Sequence, residues 1–162
     1  VDDVYTDEKL QKAAKWLSGS GKPGLLLYGT FGNGKTTLAR AICDLVNYIA
    51  KNNPVAVYTS RDLTRIAKSD ETKFEEIIKL PKLYVDDFGW EPATVKSWGN
   101  EINPIVEVVE ERHKRLLFTI LTSNKSDEEI QNIYGDYVYE RLEELCSFIN
   151  YDHPSYRTKK KY

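Results

Sequence analysis

Hydrophobic residues follow two rhythms along this chain. Short unbroken apolar runs at 25–28, 55–59, 83–85, 116–121 and 148–151 have the length and lack of alternation of strands covered on both faces, as in a parallel sheet. Between them, apolar residues recur every three or four positions. Leu10, Ala13, Ala14 and Leu17 mark an entry helix over 7–17, closed by the breakers Ser18-Gly-Ser-Gly-Lys-Pro23. Leu38, Ala41, Ile42, Leu45, Val46 and Ile49 form the stripe of a longer helix, and Phe74, Ile77 and Ile78 mark a shorter one. Asn103-Pro104 has the form of a cap and first turn ahead of Ile105, Val106 and Val109. Ser126 and Glu129 are spaced as a capping box before Ile130 and Ile133, and Gly135 separates these from a last helix over 137–145. Strands alternating with helices predict an α/β domain with a five-stranded parallel sheet and right-handed crossovers.

Composition narrows the class without naming a function. A chain of 162 residues is one domain's worth, and a formal charge of −2 with 30% charged residues gives no global basic signal for nucleic acid. Cys43 and Cys146 are far apart in apolar surroundings and read as buried, reduced thiols, while His113 and His153 supply no ligand cluster. No apolar run approaches the roughly 18 residues of a membrane span, so a cytoplasmic protein without membrane contact is expected. The chain contains no methionine, even at position 1, and reads as a domain excised from something longer. The expected division is an entry helix and linker at 1–23, a core at 24–157 and a basic tail at 158–162.

The strongest chemical signal is Gly29-Thr-Phe-Gly-Asn-Gly-Lys-Thr36, which matches G-x-x-x-x-G-K-[ST] between a strand and a helix. Glycines let such a loop curl its N–H groups around phosphate oxygens at a helix N-terminus, whose dipole also favours anions. Gly29, Phe31, Gly32, Asn33, Gly34, Lys35, Thr36 and Thr37 are therefore the candidate nucleotide-binding residues. Within them Lys35 is expected to reach the β- and γ-phosphates, and the Thr36 hydroxyl to ligate Mg²⁺. The run Leu83-Tyr-Val-Asp-Asp87 then ends a buried strand in two acids, an arrangement that is costly without a partner for the carboxylates. A Mg²⁺ beside the phosphate loop is such a partner, with Asp86 assigned to the metal through water and Asp87 to polarising an attacking water.

Asn124-Lys-Ser-Asp127 admits two readings. It fits the N-K-x-D pattern with which GTP-binding proteins grip guanine, and Asp86-Asp-Phe-Gly89 fits their D-x-x-G motif. It also reads as a strand ending in Thr-Ser-Asn, where Asn124 senses a γ-phosphate or holds water. The interval favours the second. Only 38 residues separate Asp86 from Asn124, room for one clear helix and one strand, whereas the guanine motif lies two strands after D-x-x-G.

Taken together, residues 27–36, Val-Asp-Asp-Phe-Gly at 85–89, Thr-Ile-Leu-Thr-Ser-Asn at 119–124, Tyr-Glu-Arg-Leu at 139–142 and Ser-Tyr-Arg at 155–157 carry a resemblance. The chain resembles the AAA+ ATPases, in particular the bacterial replicative helicase loaders of the DnaC/DnaI type and the related IstB transposition helpers. The resemblance implies a P-loop three-layer sandwich with parallel strands in the order 5-1-4-3-2, which puts the Asn124 strand between those of the phosphate loop and the acidic pair. It further implies ATP and Mg²⁺ as cofactors, Asn124 as sensor 1, Arg141 as an arginine finger delivered to a neighbouring subunit, and Arg157 as the sensor 2 arginine. The partners it implies are a replicative DNA helicase, gripped through a region ahead of the core, other copies of the chain in an AAA+ oligomer, and single-stranded DNA. Candidate DNA contacts are Arg112, Lys114, Arg115 and the tail at 159–161, while Trp90 and Trp98 read as packing residues before base-stacking ones. Asp87, where many members carry Glu, is expected to slow hydrolysis. A GTP-binding switch and a P-loop kinase are the readings from other classes.

Overall fold

The computed structural model describes residues 8–19, 21–32, 34–91, 95–97 and 100–151. Helix α1 (Glu8–Leu17) leads into β1 (Gly24–Tyr28), α2 (Lys35–Ile49), β2 (Ala56–Thr59), α3 (Ser60–Ser69), α4 (Glu71–Ile78) and β3 (Lys82–Asp86). A short antiparallel pair, β4 (Val95–Ser97) and β5 (Asn100–Ile102), precedes α5 (Pro104–Arg115), β6 (Phe118–Ser123), α6 (Asp127–Tyr134), α7 (Asp136–Leu145) and β7 (Cys146–Asn150). The main sheet is parallel throughout, in the order β2-β3-β6-β1-β7. Counting only its five strands and reading from the other edge gives 5-1-4-3-2, as expected.

Alternation along β1 builds the layers. Leu25 and Leu27 face one side, where α1 and α2 cover them with Ala13, Trp16, Ala39, Ile42, Cys43 and Val46. Leu26 and Tyr28 face the other, against Phe74, Ile105, Val108, Val109 and Leu142 from α4, α5 and α7. Full burial of each leucine contributes about 1.5–3 kcal/mol, which keeps β1 an interior strand between β6 and β7. Close approach decides one residue type here. A Cβ on Gly24 would lie 2.6 Å from Cys146 Sγ and 2.9 Å from the Leu145 carbonyl oxygen, so β1 and β7 meet only because position 24 carries no side chain.

Several expectations change. On α2 the buried face is Ala39, Ile42, Cys43 and Val46, while Ala41, Leu45 and Ile49 point to solvent; small residues let the helix sit close to the sheet. On α1 the buried pair is Ala13 and Trp16, with Leu10 40% exposed. Strand β2 is an edge strand with Val57 half exposed, not one covered on both faces. Leu116 does not begin β6: it ends α5 in the left-handed region at φ 51° and is exposed. Helix α3, which the apolar spacing did not reveal, starts directly at the end of β2. There the Thr59 hydroxyl accepts from Asp62 N and the Asp62 carboxylate accepts from Thr59 N, a complete capping box. Cys43 and Cys146 are free and buried, and burial pushes their thiols up to about 11 and about 12. Among the described residues no helix is long and apolar enough to cross a membrane.

Candidate nucleotide site

The loop between β1 and α2 opens at the carboxyl end of the sheet. Gly29, Gly32 and Gly34 take φ of 128°, 77° and 87°, conformations that side chains resist, and so turn the chain tightly ahead of the helix. Of α2 to α7, only α2 has neither a side-chain cap nor an acid in its first turn. A helix start of this kind, with no first-turn acid against its positive dipole end, is electrostatically suited to an anion. Lys35 is buried at 5% exposure, and its ammonium donates to the Thr30 carbonyl oxygen at 2.5 Å, across the mouth of the loop. Thr36 is half-buried and Thr37 exposed on the first turn; Phe31 stands out from the loop at 57% exposure. Asn33 lies outside the described residues.

Strand β3 delivers Asp86 to this mouth. Its Oδ1 accepts from the hydroxyls of Thr36 at 3.3 Å, Tyr84 at 2.8 Å and Thr122 at 2.5 Å. The Tyr84 and Thr122 hydroxyls are themselves 3.2 Å apart, so the three form one network beneath the carboxylate. Thr122 was not singled out from the sequence. Its signal was its position two residues before Asn124, on the strand expected beside β3, where alternation aims it to one face with Ile120. Burial and the Asp86 contact push the Tyr84 phenol well above its ordinary range, which keeps it a donor.

Asp87 sits in the left-handed region at φ 57°, uncommon for a residue with a Cβ. Its carbonyl oxygen accepts from Ser60 Oγ at 2.7 Å and from Trp90 N at 3.1 Å, which holds the turn. Desolvation and then the Asp86 charge raise its carboxyl pKa, opposed by the Arg61 and Lys35 cations. The turn is also clamped to the end of β6: Phe88 N donates to the Thr122 carbonyl at 2.8 Å, and Ser123 Oγ to the Phe88 carbonyl at 2.6 Å. Glu91, buried at 6% exposure, accepts from Gly89 N at 3.0 Å and from the Tyr134 hydroxyl. Desolvation raises its pKa.

Asn124 follows β6 and is half-buried. Because β6 runs between β1 and β3, its tip emerges between the phosphate loop and the acidic pair. Ser126 caps α6, accepting from Glu129 N while Glu129 accepts from Ser126 N, and Asp127 is the first residue of the helix. Arg141, on α7, pairs with Glu144 at 2.9 Å and stacks 4.9 Å over Tyr137. Arg157, Trp98 and the tail at 159–161 lie outside the described residues. Arg112 contradicts its reading as a DNA contact. It is fully buried and donates to Thr119 Oγ1 and to the carbonyls of Ile78, Leu80 and Phe118, because its position on α5 continues the apolar face of Ile105, Val108 and Val109.

No protein-family model matches the chain, and no curated protein matches it by sequence. Solved structures do match in shape. DnaI superposes with a TM-score of 0.67 at 23% identity, covering 93% of this chain and 85% of DnaI. A protein of Streptococcus pyogenes serotype M3 described as a primosome component gives 0.70 at 18% identity, covering 93% of this chain and 83% of the other. The replication initiator DnaA, bound to AMPPCP and single-stranded DNA, gives 0.67 at 14% identity over 92% of this chain and 48% of its own. The fold is that of the P-loop AAA+ domains. The strand order puts Asn124 at the end of the strand directly beside that of the acidic pair, as the 38-residue interval predicts.

Proposed function

We propose that the chain is the Mg²⁺-dependent ATP-binding and ATP-hydrolysing domain of a DNA replication helicase loader, working as an ATP-controlled oligomer on single-stranded DNA. The observation that carries this reading is the Thr36 hydroxyl facing the Asp86 carboxylate at 3.3 Å, beside an uncapped helix N-terminus. A hydroxyl and a carboxylate are the hard oxygen donors that Mg²⁺ takes when it arrives with substrate phosphates. When bound, Mg²⁺ supplies charge neutralisation on the β- and γ-phosphate oxygens.

The chain's own residues then divide the work. The loop from Gly29 to Thr37 wraps the phosphates, with Lys35 released from Thr30 to the β- and γ-oxygens. Asp87 orients and polarises the attacking water, and Asn124 holds that water or touches the γ-phosphate. Arg141 serves as the finger for a neighbouring copy, exchanging Glu144 for the γ-phosphate, and Arg157 is sensor 2. The structural neighbours support a replication role by their own descriptions, and the DnaA complex supports single-stranded DNA as a ligand.

The test is hydrolysis of ATP against GTP, with and without single-stranded DNA. The expected outcome is Mg²⁺-dependent ATP turnover, lost in Lys35→Ala, slowed in Asn124→Ala and little changed in Asp127→Ala. Turnover of GTP alone sinks the reading. Capture of a transposase in place of a replicative helicase by the full-length protein moves the assignment to the IstB helpers.

A further inference from the structure

Beside the phosphate loop stands a cluster drawn from four segments. Phe31 of the loop and Trp90 of the turn after β3 meet edge to face, with ring centroids 6.1 Å apart. The Arg61 guanidinium, from the first turn of α3, lies 5.2 Å from the Trp90 ring centroid, and the Lys125 ammonium, just after Asn124, lies 5.8 Å from it. Trp90 is 42% exposed, so this is a half-open rack and not core packing.

Both cations lie over the indole face and not against a carboxylate of the described residues. Lys12, Arg65, Lys79, Arg115 and Arg141 each reach a carboxylate. Among the described residues, Arg61 and Lys125 form no such ion pair, although the next arginine on α3, Arg65, pairs with Asp62. An indole face holds a cation weakly at an exposed site and leaves its hydrogen-bond donors available. Both are also close to the chemistry. The Arg61 charge acts on Asp87, and the Lys125 stem packs against Gly89, 3.1 Å from where a Cβ there would stand.

We propose that Trp90 is a positioning residue that holds Arg61 and Lys125 ready for the terminal phosphate of a nucleoside triphosphate, so that the chain distinguishes triphosphate from diphosphate with cations of its own. The inference rests on the nucleotide reading above. On binding, each cation exchanges the indole face for charge-assisted hydrogen bonds to γ-phosphate oxygens, and Phe31, in contact with Trp90, ties that exchange to the phosphate loop.

Isothermal titration of MgATP and MgADP into the whole chain and into Arg61→Gln, Lys125→Gln, Trp90→Ala and Trp90→Phe tests it. A lost charge-assisted hydrogen bond corresponds to roughly a tenfold loss or more. ATP affinity should therefore fall about tenfold in Arg61→Gln, with ADP affinity held within about twofold. Trp90→Ala should lose part of the ATP preference and Trp90→Phe should keep it, which loss of bulk alone does not explain. ADP binding doubles as the folding control, and Arg61→Gln, at an exposed position, decides the matter should Trp90→Ala unfold. An unchanged ATP-to-ADP ratio in Arg61→Gln overturns the rack while leaving the nucleotide reading intact. Failure of the unaltered chain to bind either nucleotide overturns both.

Discussion

Replacing Arg112 by methionine should unfold the domain far more readily than its place in the basic run Arg-His-Lys-Arg suggests. The guanidinium is fully buried, donates from all three nitrogens, and forms no salt bridge with a carboxylate among the described residues. Burial lowers its pKa to about 10, so it remains charged at neutral pH, at a desolvation cost of about 3 kcal/mol. Four hydrogen bonds from a charged donor, at roughly 1.5–3 kcal/mol each, outweigh that cost. Methionine fills similar length but orphans the carbonyls of Ile78, Leu80 and Phe118, which join α4, the turn after it and β6 to α5. The expected net loss is about 4 kcal/mol, a large part of the 5–15 kcal/mol typical of a whole domain. Arg112→Lys should cost about half as much, since it keeps the charge but not the planar fork. Urea denaturation followed by circular dichroism measures both. A change below about 1 kcal/mol in Arg112→Met, with DNA affinity lost, refutes the structural role and restores Arg112 as a contact.

Two further outcomes follow from burial. Gly24→Ala should destabilise by about 1–3 kcal/mol, because the new methyl meets Cys146 and the Leu145 backbone; an unchanged melting temperature contradicts that packing. Glu91 has a folded pKa raised by desolvation, so its contribution is fully present below its unfolded value of 4.5 and lost as pH rises through the folded value. Glu91→Gln, which cannot ionise, should therefore gain stability relative to the unaltered chain as pH rises from about 4 to 8 in urea titrations; a pH-independent difference rules this out.

The fold was legible where local chemistry and global topology agree. Gly29 to Thr36 marks the junction of β1 and α2, and the 38-residue interval from Asp86 to Asn124 holds one strand of the main sheet, β6, which falls beside β3, while the short β4–β5 pair in the same interval stays outside that sheet. Helix α3 was missed because Leu63, Ile66 and Ala67 are few among charged neighbours, yet Thr59 and Asp62 already spelled its cap. Arg112 was misread because a run of bases suggests a wetted face. The spacing Ile105, Val108, Val109, Arg112 was the better guide, since a helix buries positions and not residue types. The Asp86 hydroxyl network and the Trp90 rack join side chains from different strands and loops, which sequence spacing alone does not bring together.

The capped start of α6 has a bearing on how short words in sequences are counted. A helix that begins at a strand tip draws Ser to its cap, an acid to its first position and Glu to its third, as at Ser126, Asp127 and Glu129. Those preferences alone write Ser-Asp-x-Glu, and an Asn ending the strand two residues earlier turns it into Asn-x-Ser-Asp. Four-letter searches for guanine binders will therefore gather strand-to-helix junctions of this kind, where the start of the helix by itself accounts for the letters.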